Sequence, residues 1–88
     1  MTYAVRLAPP VRRALERDLP QQVGAAAWQF IRGALAENPQ RVGKPLTGAL
    51  AGLWSARRGE YRIVYAIEAD VVTVTILRIA HRGSIYGG

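Results

Sequence analysis

The stretch that decides the fold is WSARRGEYRIVYAIE, Trp54 to Glu68. Its second half alternates. Tyr61, Ile63, Tyr65 and Ile67 share one side of an extended chain, and Glu60, Arg62, Val64, Ala66 and Glu68 share the other. LWSAR, Leu53 to Arg57, reads as a shorter strand, and Arg58-Gly59 reads as a tight two-residue turn between the two. The result is an antiparallel hairpin with one apolar face. Its other face carries Arg62 between two tyrosines in sequence, where a strand that only builds a core has no use for an arginine.

Downstream, Ala69-Asp70 reads as another two-residue turn. VVTVTILRIAH, Val71 to His81, is the longest strand pattern in the chain, and RGSIYGG remains as a short tail. Paired through these turns, Arg57 falls opposite Glu60, Ser55 opposite Arg62 and Arg62 opposite Leu77. Leu53, Ser55, Arg57, Thr73, Thr75, Leu77, Ile79 and His81 then join the Arg62 side. One face thus collects Arg57, Arg62 and His81 among small and hydroxylated residues, and a one-residue slip would flip these positions. Arginine's planar fork suits phosphate oxygens, so this face is a candidate anion site. The bland alternative is a solvated face, with Arg62 paired to Glu60 or Glu68.

Upstream, TYAVRLA, Thr2 to Ala8, alternates as a strand, and Pro9-Pro10 ends it and opens a helix. Val11, Leu15 and Leu19 fall on one face of that helix, which Pro20 breaks. Val23, Ala27, Phe30, Ile31, Ala34 and Leu35 form the apolar stripe of a second helix, closed by Glu37-Asn38-Pro39. The short join predicts an antiparallel helix hairpin. Gln40 to Gly52, with three glycines and a proline, reads as an irregular loop. Trp28 and Trp54 are expected in the core. The fold class is α+β: two N-terminal helices packed on one face of a four-stranded, antiparallel-rich sheet, in the order β-α-α-β-β-β, as one domain over 1–88.

Composition narrows the function. Twelve basic residues, eleven of them arginine, face six acidic ones, for a net charge of +6. A small domain so charged attracts polyanions, nucleic acid first, or an acidic protein. The absence of cysteine excludes disulfides, thiolate metal sites and cysteine nucleophiles. With one histidine, no metal site or other cofactor is expected. No signal peptide and no membrane-length apolar run is apparent, so a cytoplasmic protein is expected.

GKPLTGALAGLWSARRGEYRIVYAIE, followed by ILRIAHRGSIY, resembles the RelE/ParE toxin superfamily, and within it the RelE branch. The resemblance covers nearly the whole chain. It implies a RelE-like fold and the toxin of a type II toxin–antitoxin system: a ribosome-dependent endoribonuclease (an mRNA interferase) that cuts messenger RNA in the A site. The implied partners are a cognate acidic, RelB-like antitoxin in a hetero-oligomer, the ribosome and its messenger. By position, Arg62 matches the arginine that holds the scissile phosphate. Arg82 matches a phosphate-binding or general-acid arginine, and Tyr86 a tyrosine that stacks on a base or assists proton transfer. The family pattern has two lysines where this chain has Leu53 and Ser55. Lys44, Arg57 and Arg58 are candidates to replace that charge on the RNA, and His81, the one side chain that ordinarily titrates near neutrality, to carry a proton. Two alternatives share the fold: a ParE-like inhibitor of DNA gyrase, and a non-catalytic member that only binds its antitoxin.

Overall fold

The structure is a computed structural model, which describes residues 2–81 in full and residues 84–87 in backbone. The chain opens with β1 (Ala4–Leu7) and turns at Pro9 into α1 (Pro9–Arg13). That helix continues through a wider π turn, Ala14–Asp18, whose Leu19 amide donates to the Ala14 carbonyl at 2.9 Å. Pro20, at extended ψ, ends it and precedes α2 (Gln21–Phe30), which also continues in a π turn, Ile31–Leu35. Gly24 lies against the Leu15 backbone, where a Cβ would meet the carbonyl oxygen at 3.1 Å. That close approach, across the Leu19–Pro20 join, is the antiparallel hairpin the sequence predicts.

A sheet underlies the hairpin. Its order is β1-β5-β4-β3-β2, built from β2 (Lys44–Pro45), β3 (Trp54–Arg58), β4 (Tyr61–Glu68) and β5 (Thr73–His81). A further strand, β6 (Ser84–Gly87), pairs antiparallel with β5, while β1 pairs with β5 in parallel. The α+β class and the layer order hold, but among the described residues the sheet has six strands rather than four. The segment predicted to be a tail is β6, and the segment predicted to be an irregular loop holds a short helix, α3 (Pro39–Val42), as well as β2.

The core lies between the hairpin and one sheet face. Val11, Ala27, Ile31 and Leu35 from the helices meet Ile63, Tyr65, Val74, Ile76 and Ile79 from the sheet. The apolar parity of β4 is therefore as predicted. Trp54 packs at the core's margin, but Trp28 does not: it is 40 % exposed on the outer side of α2.

Two turns differ from the expected ones. The first is Gly59-Glu60 rather than Arg58-Gly59, because Gly59 takes a φ of +53°, which a side chain disfavours. The second is a 3₁₀ turn, Ala69–Val71, closed by Val72 at φ 48°, a conformation rare for a β-branched residue.

Candidate RNA-binding face and cleft

Arg62 stands on the sheet face away from the helices and is exposed. Its partner on β3 is Arg57, not Ser55, which lies opposite Val64. The register differs by two residues from the expected one, and a shift of two preserves the faces. Arg57 thus keeps its predicted side and comes nearer to Arg62 than predicted. Like charges directly opposite in an antiparallel pair are destabilising. Glu60 lines the same cleft as the two arginines. Two cations held on opposed residues form a site suited to an anion.

The predicted phase of β5 fails beyond Ile76. Tyr65 pairs with Ile76, yet Val64 pairs with Arg78, so the register shifts there. Leu77 is the extra residue, and a bulge of this kind re-aims the side chains beyond it. Ile79 enters the core and His81 falls opposite Tyr61 on the helix side, whereas Arg78 and Ala80 come out beside Val64 and Arg62. His81 therefore does not share the Arg62 face. It is 8 % exposed, and its Nε2 is buried without a hydrogen-bond partner among the described residues. Even so, His81, Tyr61, Arg57 and Arg62 border one shallow cleft of about 430 Å³ at the end of β4 and β5. The two faces meet at this rim.

Arg58 parts company with Arg57. It lies on the helix side, its guanidinium 4.5 Å from the centre of the Phe30 ring. The neighbouring Tyr61 hydroxyl donates to the Ala26 carbonyl at 3.3 Å. Burial pushes the Tyr61 phenol above its ordinary pKa, and the Arg58 charge acts in the opposite direction. Arg58, itself exposed, thus stacks on the Phe30 ring on the helix side of the sheet.

Lys44 reaches the outer face through a buried anchor. The Tyr65 hydroxyl donates to the Pro39 carbonyl at 2.6 Å, fixing α3 to the sheet. Gly43 follows, and any Cβ there would strike that hydroxyl and lie 2.8 Å from the Ser55 carbonyl. Glycine lets the chain pass this point, and β2 then sets Lys44 opposite Ser55 on the edge of the sheet. Burial holds the Tyr65 phenol up at about 12. Arg82 lies outside the described residues, as does the Tyr86 side chain; the Tyr86 backbone pairs with Ile79 in β6.

Reading the sequence alone missed Arg78. Strict alternation would have buried it beside Val74 and Ile76, and a charged residue in a core position was the available sign of a bulge. A larger concavity of about 1010 Å³ lies elsewhere, between β1 and the helix hairpin, with Leu7, Leu15 and Trp28 in its lining and Arg6, Arg12 and Arg17 around it. Among the described residues no cluster of His, Cys, Asp and Glu could hold a metal ion, and no helix is long and apolar enough to cross a membrane.

Known proteins place this architecture. Residues 5–86 match the family model described as the ParE toxin of type II toxin–antitoxin systems, parDE. The chain is 49 % identical over 86 residues to toxin RelG of Mycobacterium tuberculosis, with 98 % of each covered. It superposes with a TM-score of 0.88 and 48 % identity on a chain of the toxin–antitoxin complex RelBE2 from Mycobacterium tuberculosis, covering 93 % of this chain and 100 % of that one. An archaeal RelE–RelB complex from Pyrococcus horikoshii gives a TM-score of 0.71 at 30 % identity, covering 94 % of this chain and 98 % of that one. The family model carries the ParE name and the relatives the RelE type, two branches of one superfamily. The chain belongs to the RelE/ParE family of type II toxin–antitoxin toxins.

Proposed function

We propose that the protein is a ribosome-dependent endoribonuclease that cleaves messenger RNA and is held inactive by a cognate acidic antitoxin. The observation that carries the reading is the Arg57–Arg62 pair: two exposed cations, directly opposite, at the mouth of a cleft that Glu60 and His81 also line. Cleavage through the 2′-hydroxyl forms a 2′-O–P bond and breaks the bond from phosphorus to the 5′-oxygen. One proton leaves the 2′-hydroxyl and another reaches the 5′-oxygen. Between these steps negative charge grows on the phosphorane, and fixed cations stabilise it most. Arg62 and Arg57 take that role.

His81 lines the cleft beside Glu60 and Tyr61, and we assign it one of the proton transfers. A buried imidazole nitrogen without a partner is costly to keep, and a catalytic role is one explanation for keeping it. Arg82 and Tyr86, carried over by resemblance, complete the phosphate and base contacts. We leave Arg58, whose guanidinium lies beside the Phe30 ring on the helix side, out of the phosphate site. The antitoxin is expected to be acidic because the toxin carries +6, with basic surfaces at the outer sheet face and around the groove beside β1.

The name of the matching family model favours a second reading, inhibition of DNA gyrase by a binding module on the same fold. One experiment separates the two. The chain is induced in bacteria beside an Arg62→Ala copy, and translated messenger is probed by primer extension. New cuts within codons that vanish in the variant support the ribonuclease. Growth arrest with intact messenger and altered DNA supercoiling moves the protein to the gyrase branch.

A further inference from the structure

The bulge at Leu77 has a second effect besides turning His81 inward. It brings Arg78 out into a cross-strand row. Lys44 on β2 stands opposite Ser55, Ser55 opposite Val64, and Val64 opposite Arg78. This row runs alongside the row Arg57–Arg62–Ala80, two residues along β4 from it, or about 6.6 Å. That spacing is close to the separation of neighbouring phosphates on an extended single strand. Uncharged Ser55 and Val64 occupy the middle of the second row, and cations stand at its two ends. The acids on this side are Glu60, which lines the cleft beside Arg57 and Arg62 on the side away from the second row, and Glu68, six residues beyond Arg62 and about 20 Å away. A single-stranded polyanion crossing the face at Arg57 and Arg62 therefore meets further positive charge at its next phosphate.

We infer that Arg78 and Lys44 form a second phosphate-holding row, which fixes the nucleotide adjacent to the one held by Arg57 and Arg62 and so sets where the strand is cut. The inference rests on the ribonuclease reading above. The bulge is then a device for register: without it, Arg78 would point into the core and the row would end at Val64.

The test counts ionic contacts. The probe is a fluorescein-labelled 2′-O-methyl RNA octamer, which lacks the 2′-hydroxyl that cleavage requires. Its affinity for the full-length toxin is measured by anisotropy across a salt series. Each phosphate neutralised on a single strand contributes about −0.7 to the slope of log K against log salt. The expected result is that Arg78→Gln and Lys44→Gln each reduce the slope by about 0.7, that Arg78→Lys restores it, and that Arg13→Gln on α1 leaves it unchanged. If Arg78→Gln fails to fold, Lys44→Gln, on an exposed edge strand, carries the test alone. Unchanged slopes in both variants with normal wild-type binding overturn the second row and leave the ribonuclease reading standing. A wild-type chain without salt-dependent binding also overturns it, and cleavage of translated messenger then decides separately whether the ribonuclease reading survives.

Discussion

Tyr61 and His81 face each other across β4 and β5 on the helix side of the sheet, and Arg62, one residue further on, stands on the opposite side. One step along β4 separates a buried layer tied to α2 from an exposed cationic layer. Both border the same cleft, so the proposed proton carrier and phosphate clamp stand on opposite faces of the sheet. Replacing His81 tests this division. His81→Gln should lower cleavage by about 10²-fold, the contribution of a positioned acid or base. The urea midpoint should correspond to a loss of no more than about 1 kcal/mol, since the imidazole Nε2 has no hydrogen bond to lose among the described residues. Full activity in this variant would pass the proton transfer to Tyr86.

The paired arginines should cost the free toxin stability. Arg57→Ala removes one of two like charges on opposed residues and should leave the folded state unchanged or more stable by up to about 1 kcal/mol. The gain should shrink as salt rises. Urea denaturation at low and high ionic strength measures both. A clear loss of stability would mean that Arg57 has a stabilising partner.

Alternation on β4 and the helical stripe from Val23 to Leu35 were legible because each element keeps one phase along its length. The outer β5 face was not legible, because Ile76 and Leu77 are consecutive apolar residues and conceal the change of phase between them. From Arg78 onward the parity inverts, so His81 and Arg78 exchanged faces. The β3–β4 register moved by two residues because Gly59 took the first turn position. That shift kept Arg57 on its predicted face. The role of Gly43 depends on the Tyr65 hydroxyl, 22 positions later in the sequence, and no local pattern could reveal it.

That contact makes a prediction of its own. Tyr65→Phe strands the buried Pro39 carbonyl and should cost about 1–3 kcal/mol. Gly43→Ala alone should cost more, because the new methyl strikes the hydroxyl. With Tyr65→Phe already present, Gly43→Ala should cost less, by a coupling of at least about 0.5 kcal/mol. Rescue is partial because the Ser55 carbonyl remains 2.8 Å away. Additive losses in the double-mutant cycle would refute the contact.

Alkaline pH should loosen the same anchor. The folded state holds the Tyr65 proton up to about 12, while the unfolded chain releases it near the ordinary phenol value of 10.0. Between these values the folded state binds more protons, so stability falls as pH rises through this window. Tyr61, also raised by burial, acts in the same direction. Urea midpoints taken at intervals across this window should decline for the wild type and decline less steeply for Tyr65→Phe.

The most direct measurement compares two arginines four residues apart that the sheet places on opposite sides. Arg62→Ala and Arg58→Ala are assayed for cleavage of translated messenger, each beside a folding control. Arg62→Ala should lose about 10²–10³-fold in cleavage, the size of a missing transition-state charge partner. Arg58→Ala should cleave nearly normally, its loss of the Phe30 contact costing about 0.5–1 kcal/mol of stability instead. Equal losses in the two variants, or an active Arg62→Ala, would contradict a phosphate site on the outer face.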